Sequence, residues 1–283
     1  WFRKYTGRAL GIASVGVSFA GFVFPNLTSF LLGDLGLTWR EAYLLFGVLI
    51  ILINIPVVHL FIVNKPSDIH QMPDGEEIVD NTEDASGVDW TIPDLLKDRN
   101  FWVLSLVFAI QFCSMMGILS HLTFFAEGAG WSQSWGAFIF SMYAWPAMFS
   151  KVFFGWLVEN KIDARVAVSV AILIQAIATL LMIFVESPEQ MVVLVMIFGF
   201  GGGSALPLSN ILFNQAYTNK SFGKARGAAQ PFISIFQISG TLVAARMFDV
   251  FGNYELAFLT LGFILIVPII AIWYMKIESK LTS

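Results

Sequence analysis

The stretch REAYLLFGVLIILINIPVVHLFIV, residues 40–63, sets the fold class. From Ala42 to Asn64 no Asp, Glu, Lys or Arg interrupts it. At ~1.5 Å of rise per residue, a helix of this length crosses a hydrocarbon core of ~30 Å. Similar blocks lie on both sides of it, so membrane spans are expected at 8–32, 40–63, 101–126, 134–158, 166–185, 190–215, 227–247 and 256–277. The chain of 283 residues is 57% hydrophobic and 13% charged, against roughly 25% charged in soluble domains. A soluble enzyme, a nucleic-acid binder and a disulfide scaffold are excluded. The expected class is an all-α polytopic membrane protein with eight transmembrane helices in a lipid bilayer. The single Cys113 lies inside an apolar block, and the three histidines show no metal-ligand spacing. No disulfide, metal site or cofactor is expected.

Short turns join most spans and make sequential neighbours antiparallel. They are Gly33-Asp34-Leu35-Gly36, Gly128-Ala129-Gly130, Glu186-Ser187-Pro188 and Phe251-Gly252-Asn253. The exception runs from Asn64 to Asn100. It carries Asp68, Asp74, Glu76, Glu77, Asp80, Glu83, Asp84 and Asp89 with little apolar content, and reads as a solvated acidic linker without calcium-loop spacing. Its end, Trp90 to Arg99, fits a short amphipathic helix. Charge asymmetry sets the orientation. One side of the membrane holds Arg3, Lys4, Arg8, Lys65, Lys97, Arg99, Lys161, Arg165, Lys220, Lys224, Arg226, Lys276 and Lys280; the other holds Arg40 and Arg246. Basic loops resist translocation. Both termini and the linker are therefore expected on the cytoplasmic side of a plasma (inner) membrane.

Ala42-Tyr43-Leu44-Leu45-Phe46-Gly47 and Ala257-Phe258-Leu259-Thr260-Leu261-Gly262 echo each other. Each follows a Gly-containing turn, and each is preceded by a span that starts beside a Gly/Arg pair, Gly7-Arg8 or Arg226-Gly227. Such an echo points to parallel repeats ending in spans 1–2 and in spans 7–8. The second repeat has six spans, so four are expected before Trp1. On this reading 1–63 are the last two helices of an N-terminal bundle, 64–100 the cytoplasmic linker, and 101–283 a six-helix C-terminal bundle.

Several stretches resemble the major facilitator superfamily, in the branch of the monocarboxylate transporters and oxalate/formate antiporters. They are Trp1-Phe2 followed by Gly7-Arg8-Ala9-Leu10-Gly11-Ile12; Gly21 with Pro25; Trp39-Arg40 with Ala42-Tyr43-Leu44; Asp98-Arg99-Asn100-Phe101-Trp102; and the loop Phe222-Gly223-Lys224-Ala225-Arg226-Gly227. The resemblance implies a truncated two-bundle fold. Gly155-Trp156-Leu157-Val158-Glu159 is similar to the superfamily's cytoplasmic gate motif, with Glu159 for the Asp and Asn160 for the Arg. An acid there can accept hydrogen bonds from a helix N-terminus and latch the inner gate.

Polar residues at membrane depth need a reason, because a charge there costs at least ~2.5–3.5 kcal/mol. Lys151 is the cation well inside a span, eight residues or about 12 Å before Glu159. It is expected either to snorkel or to face a cavity and attract an anion. Tyr143, Ala144 and Ala147 share its face, the alanines leaving room for cargo. The resemblance implies a substrate-binding role: the corresponding helix of the branch carries an arginine where this chain has Lys151, and the monocarboxylate transporters carry an Asp where it has Ala147. In span 7, Gln230, Ser234, Gln237 and Thr241 form one helical face, either helix glue or pathway lining. The oxalate-type proteins place a second cation near Gln237, and its absence here argues for a monoanion. Span 3 carries Gln111, Ser114 and His121; His121 is a structural residue or a proton-coupling candidate. Span 6 contains Gly199, Gly201, Gly202, Gly203, Pro207 and Asn210, read as close packing or a bend with Asn210 in the pathway. Gly11, Gly16 and Gly21 read likewise, as close packing or a bend next to the cavity.

The expected function is secondary transport of a small organic anion, best fitted by a monocarboxylate, by alternating access, with proton symport or exchange as coupling modes. Lys151, Tyr143, Gln237, Asn210, Gln111 and Ser234 are the expected substrate-binding residues, and Gly155 and Glu159 the gate. The competing reading is a transporter-like membrane sensor or scaffold without flux. No enzymatic site is expected.

Overall fold

The computed structural model describes residues 2, 5–63, 66–69, 71–72, 89–160 and 162–276. The acidic run 73–88, and Arg3, Lys4, Lys65, Lys161 and Lys280 of the charge tally, lie outside the described residues. Every regular element among those described is helical, and eight stretches are long and apolar enough to cross a membrane. They run Arg8–Gly33, Trp39–Phe61, Arg99–Gly128, Ser134–Glu159, Ala164–Phe184, Pro188–Tyr217, Lys220–Phe251 and Glu255–Tyr274.

Helix α1 (Thr6–Gly33) reverses into α2 (Trp39–Phe61) through Gly36, whose φ of +63° favours glycine. Thr38 caps α2: its side chain accepts from the Glu41 backbone N–H, and Glu41 accepts from the Thr38 backbone. After the linker, α3 (Ile92–Lys97) begins with a similar Thr91/Asp94 box. Span 3 is α4 (Arg99–Leu119) plus α5 (Leu122–Gly128), interrupted at Ser120-His121. The interruption has a local cause: the Ser120 hydroxyl donates to the Met116 carbonyl, and His121 stands at the N-terminal boundary of α5. The expected stripe of Gln111, Ser114 and His121 is therefore broken, with His121 off the α4 helix.

Helix α6 (Gln133–Glu159) is capped by Ser132, and α7 (Ala164–Leu181) by Asp163. Helix α8 (Pro188–Gly203) opens with the Ser187 cap and Pro188 in its first turn. A one-residue break at Ser204 leads into α9 (Ala205–Phe251). The stretch Phe222–Gly227, expected as a loop, is helical within α9. The chain nevertheless reverses between Asn210 and Arg226, because Arg226 Nε lies 3.2 Å from Asn210 Oδ1. Sixteen residues of straight helix would hold them ~24 Å apart. Spans 6 and 7 thus form a hairpin without a conventional loop. Gly252, with φ +73°, ends α9, and span 8 comprises α10 (Glu255–Phe263), α11 (Ile266–Ala271) and a final 3₁₀ turn (Ile272–Tyr274).

Glycines draw the helices together. A Cβ on Gly199 would lie 2.2 Å from the Tyr143 carbonyl oxygen, and one on Gly203 2.5 Å from Ala147. One on Gly201 would meet α7 at 2.6 Å, so α8 is wedged between α6 and α7. At the α4–α9 crossing, a Cβ on Gly240 would lie 2.0 Å from the Cys113 carbonyl oxygen. Ala144 and Ala147 are buried against Gly21 and Gly203, so the room they were expected to leave is occupied by neighbouring helices. A Cβ on Gly11 would meet the Lys151 carbonyl at 2.7 Å, whereas one on Gly16 would have nothing within 4 Å among the described residues. Two apolar clusters fill the interior of residues 95–275. One is built on Phe101, Phe108, Phe154 and Phe213, the other on Ile118, Ile139, Phe198 and Phe258. Within α2 only Ala42 is buried.

The end carrying most described cations is tied together by polar contacts. Asn100 and the Lys276 backbone exchange two hydrogen bonds of 2.9 Å. Tyr217 Oη donates to Asp98, Trp102 Nε1 donates to the Leu96 carbonyl, and Lys224 pairs with Asp89 at 2.5 Å. Arg165 pairs with Asp163 and reaches the Met275 carbonyl. The hydrogen bond from Arg165 holds the Asp163 carboxyl below the usual carboxylate range. An acid whose folded value is depressed stabilises at pH above its unfolded value, and loses that contribution as pH falls through the folded one. The melting temperature in detergent should therefore be insensitive to this pair between pH 8 and 5 and fall below about pH 4. Asp163→Asn should remove part of the acid-side slope, with an effect of at most ~1 kcal/mol for so solvated a pair.

Candidate functional site

The antiparallel contact of α1 with α6 brings together the most functional groups. Along it, Arg8 meets Glu159, Gly11 the Lys151 backbone, Ser14 and Ser18 the Lys151 side chain, Gly21 Ala144, and Asn26 Ser141. Gly11, Ser14, Ser18 and Gly21 recur at spacings of three, four and three, which is one helical face. Small residues on that face let the backbones approach and leave space for one long side chain.

That side chain is Lys151. It is 4% exposed. Its Nζ donates to the Ser14 carbonyl at 2.9 Å and to Ser18 Oγ at 2.6 Å. It does not snorkel towards the basic end. Both partners are neutral, so two hydrogen bonds orient the ammonium, and no carboxylate among the described residues pairs with it. Burying a cation in this state is costly, and an anion lodged between α1 and α6 would offset the cost. Sequence reasoning passed over Ser14 and Ser18, although their spacing with Gly11 and Gly21 was the available signal.

The other expected substrate residues are divided among separate places. Tyr143 lies two turns from Lys151, but its Oη donates to Met115 Sδ on α4 at 3.0 Å. Gln111 is buried inside the helices of residues 99–276, paired with Gln175 at 3.3 Å, and its Oε1 and the Ser114 hydroxyl have no hydrogen-bond partner among the described residues. Asn210 and Ser234 belong to a chain along α9. Arg226 donates to Asn210 Oδ1 and to Gln230 Oε1 at 2.9 Å, and Gln230 Nε2 donates to Ser234 Oγ at 3.1 Å. Gln237 continues this face, half-buried. Thr241, at its far end, is pinned to span 3 by Ser120. His121 Nε2 lies 3.1 Å from the Thr241 carbonyl and Nδ1 3.0 Å from Tyr254 Oη. A carbonyl can only accept, so Nε2 is the donor of that hydrogen bond. Both ring nitrogens therefore fasten the ends of spans 3, 7 and 8.

Glu159 ends α6. Its Oε1 accepts the Arg8 backbone N–H at 2.7 Å, in the first turn of α1, and its Oε2 accepts Arg8 Nε at 2.6 Å. An acid at a helix N-terminus is favoured by the partial positive charge there. Asn160 turns back to the Trp156 carbonyl and takes no part. Gly155 is buried one turn before Glu159. Arg8 is 44% exposed in the side chain, so the pair is partly screened and contributes about 1 kcal/mol. Glu159→Gln should thus shift the balance between basic-end-closed and basic-end-open forms by roughly five-fold. Cysteine-accessibility labelling from the basic side checks this; unchanged labelling would count against a latch.

The family profile of the Major Facilitator Superfamily matches residues 1–185 and 135–283. The chain belongs to the Major Facilitator Superfamily. Among curated proteins of the superfamily, monocarboxylate transporter 13 of Bos taurus is 24% identical over 268 residues, covering 93% of this chain and 58% of that protein. Monocarboxylate transporter 12 of Rattus norvegicus is 21% identical over 309 residues, covering 99% and 62%. An MFS-type transporter of Gibberella moniliformis is 21% identical over 259 residues, covering 89% and 57%. The chain thus spans about three-fifths of the length of these relatives, and within the superfamily it resembles the monocarboxylate transporter branch.

Proposed function

We propose that the protein is a secondary transporter of small organic monoanions, monocarboxylates by preference, working by alternating access. The observation that carries this reading is Lys151, a buried ammonium held by neutral oxygens where α1 meets α6. Residues 1–63 would belong to one bundle and 101–283 to the other, with the anion bound between them, as in transporters whose repeats meet at the substrate site. Ser14 and Ser18 would orient the ammonium, and Gln237 and Ser234 would offer hydrogen bonds from α9. Tyr143 and Gln111 would support the site from within residues 99–276. Glu159 with Arg8 would close the basic end, which would face the cytoplasm by the positive-inside rule. The names of the relatives support the cargo class. Protons would enter either by symport, with His121 as the titrating group, or not at all if the carrier exchanges anions.

The test is uptake of a labelled monocarboxylate into proteoliposomes by the full-length protein. Saturable flux, inhibited by other short carboxylates, is expected. Specific binding with no flux would show the sensor or scaffold reading to be right instead.

A further inference from the structure

Where span 8 passes the start of span 3, at the basic end of the helices, a groove of about 240 Å³ is lined by Arg99, Trp102, Val103, Leu106, Ala271 and Tyr274. Arg99, Trp102, Val103 and Leu106 follow at spacings of three, one and three. That is one helical face, descending ~10 Å from a cation into apolar surface. The exposed Arg99 guanidinium stands 5.6 Å from the centroid of the Tyr274 ring. The walls are locked together. Asn100 and the Lys276 backbone exchange their two hydrogen bonds, Trp102 Nε1 donates to the Leu96 carbonyl at 2.8 Å, and the Trp102 ring stands edge-on to Phe232 at 5.6 Å. The carboxylates beside the groove are engaged as caps: Asp94 accepts from Thr91, and Asp98 from the Phe101 backbone N–H and Tyr217 Oη. Lys97 and Lys276, each two residues from a lining residue, are exposed. Both walls belong to spans 3 and 8, whereas α1 packs chiefly on α6 and next on α9.

We propose that this groove holds one anionic phospholipid of the leaflet at the basic end, with its phosphate on Arg99 and an acyl chain along Trp102, Val103 and Leu106. Depth favours a lipid. Arg99 opens a membrane span and so stands among headgroups, while Leu106, two turns on, stands among hydrocarbon. Tryptophan and tyrosine favour that boundary, and Trp102, Trp273 and Tyr274 are exposed there. Ile92 and Leu96, one turn apart on α3, are exposed apolar residues on the approach to Arg99 and suit the same depth. A guanidinium offers a phosphate two parallel N–H bonds, and the Tyr274 ring and the locked walls limit the freedom lost on binding. Charge selects the headgroup: a zwitterionic lipid would bring its own cation next to Arg99, Lys97 and Lys276, and an anionic one does not. An α-helix, ~10 Å across, cannot enter so small a groove, whereas a single hydrocarbon chain can. The inference needs the membrane setting alone and is independent of the cargo and of Lys151.

The experiment is photolabelling of the full-length protein in phosphatidylcholine vesicles that contain a minor share of phosphatidylglycerol with a diazirine in its acyl chain. A matched set carries the diazirine on phosphatidylcholine, and the labelled residues are mapped by mass spectrometry. Residues 99–106 and 266–274 should label at least fivefold more with the phosphatidylglycerol probe. The exposed face of α7, Val166, Val170, Leu173 and Ile177, should label alike with both probes. Arg99→Gln should lower the phosphatidylglycerol labelling of the groove about fivefold, the worth of one cation near an anionic leaflet. Arg99→Lys should restore part of it, because the charge returns without the fork. Ala271→Leu should lower groove labelling by both probes while Arg99 stays in place, and it decides the matter if Arg99→Gln does not fold. Equal groove labelling by the two probes overturns the proposal, as does phosphatidylglycerol labelling unchanged in Arg99→Gln or in Ala271→Leu. A groove left unlabelled while α7 is labelled shows that protein covers it, and also overturns the proposal.

Discussion

Lys151→Gln should abolish monocarboxylate uptake while the protein accumulates at normal levels. Glutamine is one bond shorter than lysine and uncharged but still polar, and the close α1–α6 approach at Gly11 is made by backbone, so packing there survives. What disappears is the charge. A hydrogen bond to an ionised group contributes ~1.5–3 kcal/mol, and two unit charges 4 Å apart attract by ~4 kcal/mol at an effective dielectric of 20. Their loss should weaken anion binding at least ~100-fold, enough to take flux below detection at millimolar substrate. The same change removes a buried cation that no carboxylate among the described residues pairs with, so the melting temperature of the unliganded protein should hold or rise. This opposition separates a ligand-binding lysine from a structural one, whose removal would lower both quantities. Lys151→Arg should recover only part of the activity, because the Gly11 backbone lies against that of Lys151 and the side chain is already 4% exposed. Uptake within twofold of wild type in Lys151→Gln would end the assignment.

Gly240→Ala and Gly199→Ala should each cost folded protein, for a reason unconnected with cargo. The added methyl carbons would stand 2.0 Å from the Cys113 carbonyl oxygen and 2.2 Å from the Tyr143 carbonyl oxygen. Both obstacles are backbone atoms of helices packed on either side, so no rotamer change relieves them. The helices must part by about 1 Å, and overpacking of this kind costs ~1–3 kcal/mol and occasionally more. Against a stability of ~5–15 kcal/mol, that is a large fraction. Gly223→Ala is the matched control. It is helical and exposed, with nothing within 4 Å, so alanine's better helix propensity should make it neutral or stabilising by up to ~1 kcal/mol. Thermal melting of the three variants in detergent checks the sign. Equal melting temperatures would show that these crossings are looser than described.

The order and class of the elements were legible in the sequence because each membrane span is a local property. An apolar run the width of a bilayer must satisfy its own backbone hydrogen bonds, and only a helix does so. Seven of the eight spans accordingly fall within a few residues of their expected places, the seventh beginning earlier at Lys220, and the turns at Gly36, Gly130 and Gly252 have the positive φ their glycines suit. Breaks and reversals were less legible. The Ser120-His121 interruption depends on one side chain returning to a carbonyl, and the reversal between Asn210 and Arg226 lies in a helical stretch where a loop was expected.

Which polar residues meet was a tertiary matter. Helical periodicity put Tyr143, Ala147 and Lys151 on one face, yet neighbours from three helices divide that face. Tyr143 goes to Met115 on α4, Ala147 to Gly203 on α8, and Lys151 to Ser14 and Ser18 on α1. The sequence by itself determined the membrane class, the eight apolar spans and the presence of a cation at membrane depth, since hydropathy and charge are counted along the chain. Only the tertiary structure decided that Lys151 turns towards α1 and that Arg226 folds back onto Asn210. Partners more than a hundred residues apart, and a reversal within a helical stretch, leave no periodic mark in the chain that holds them.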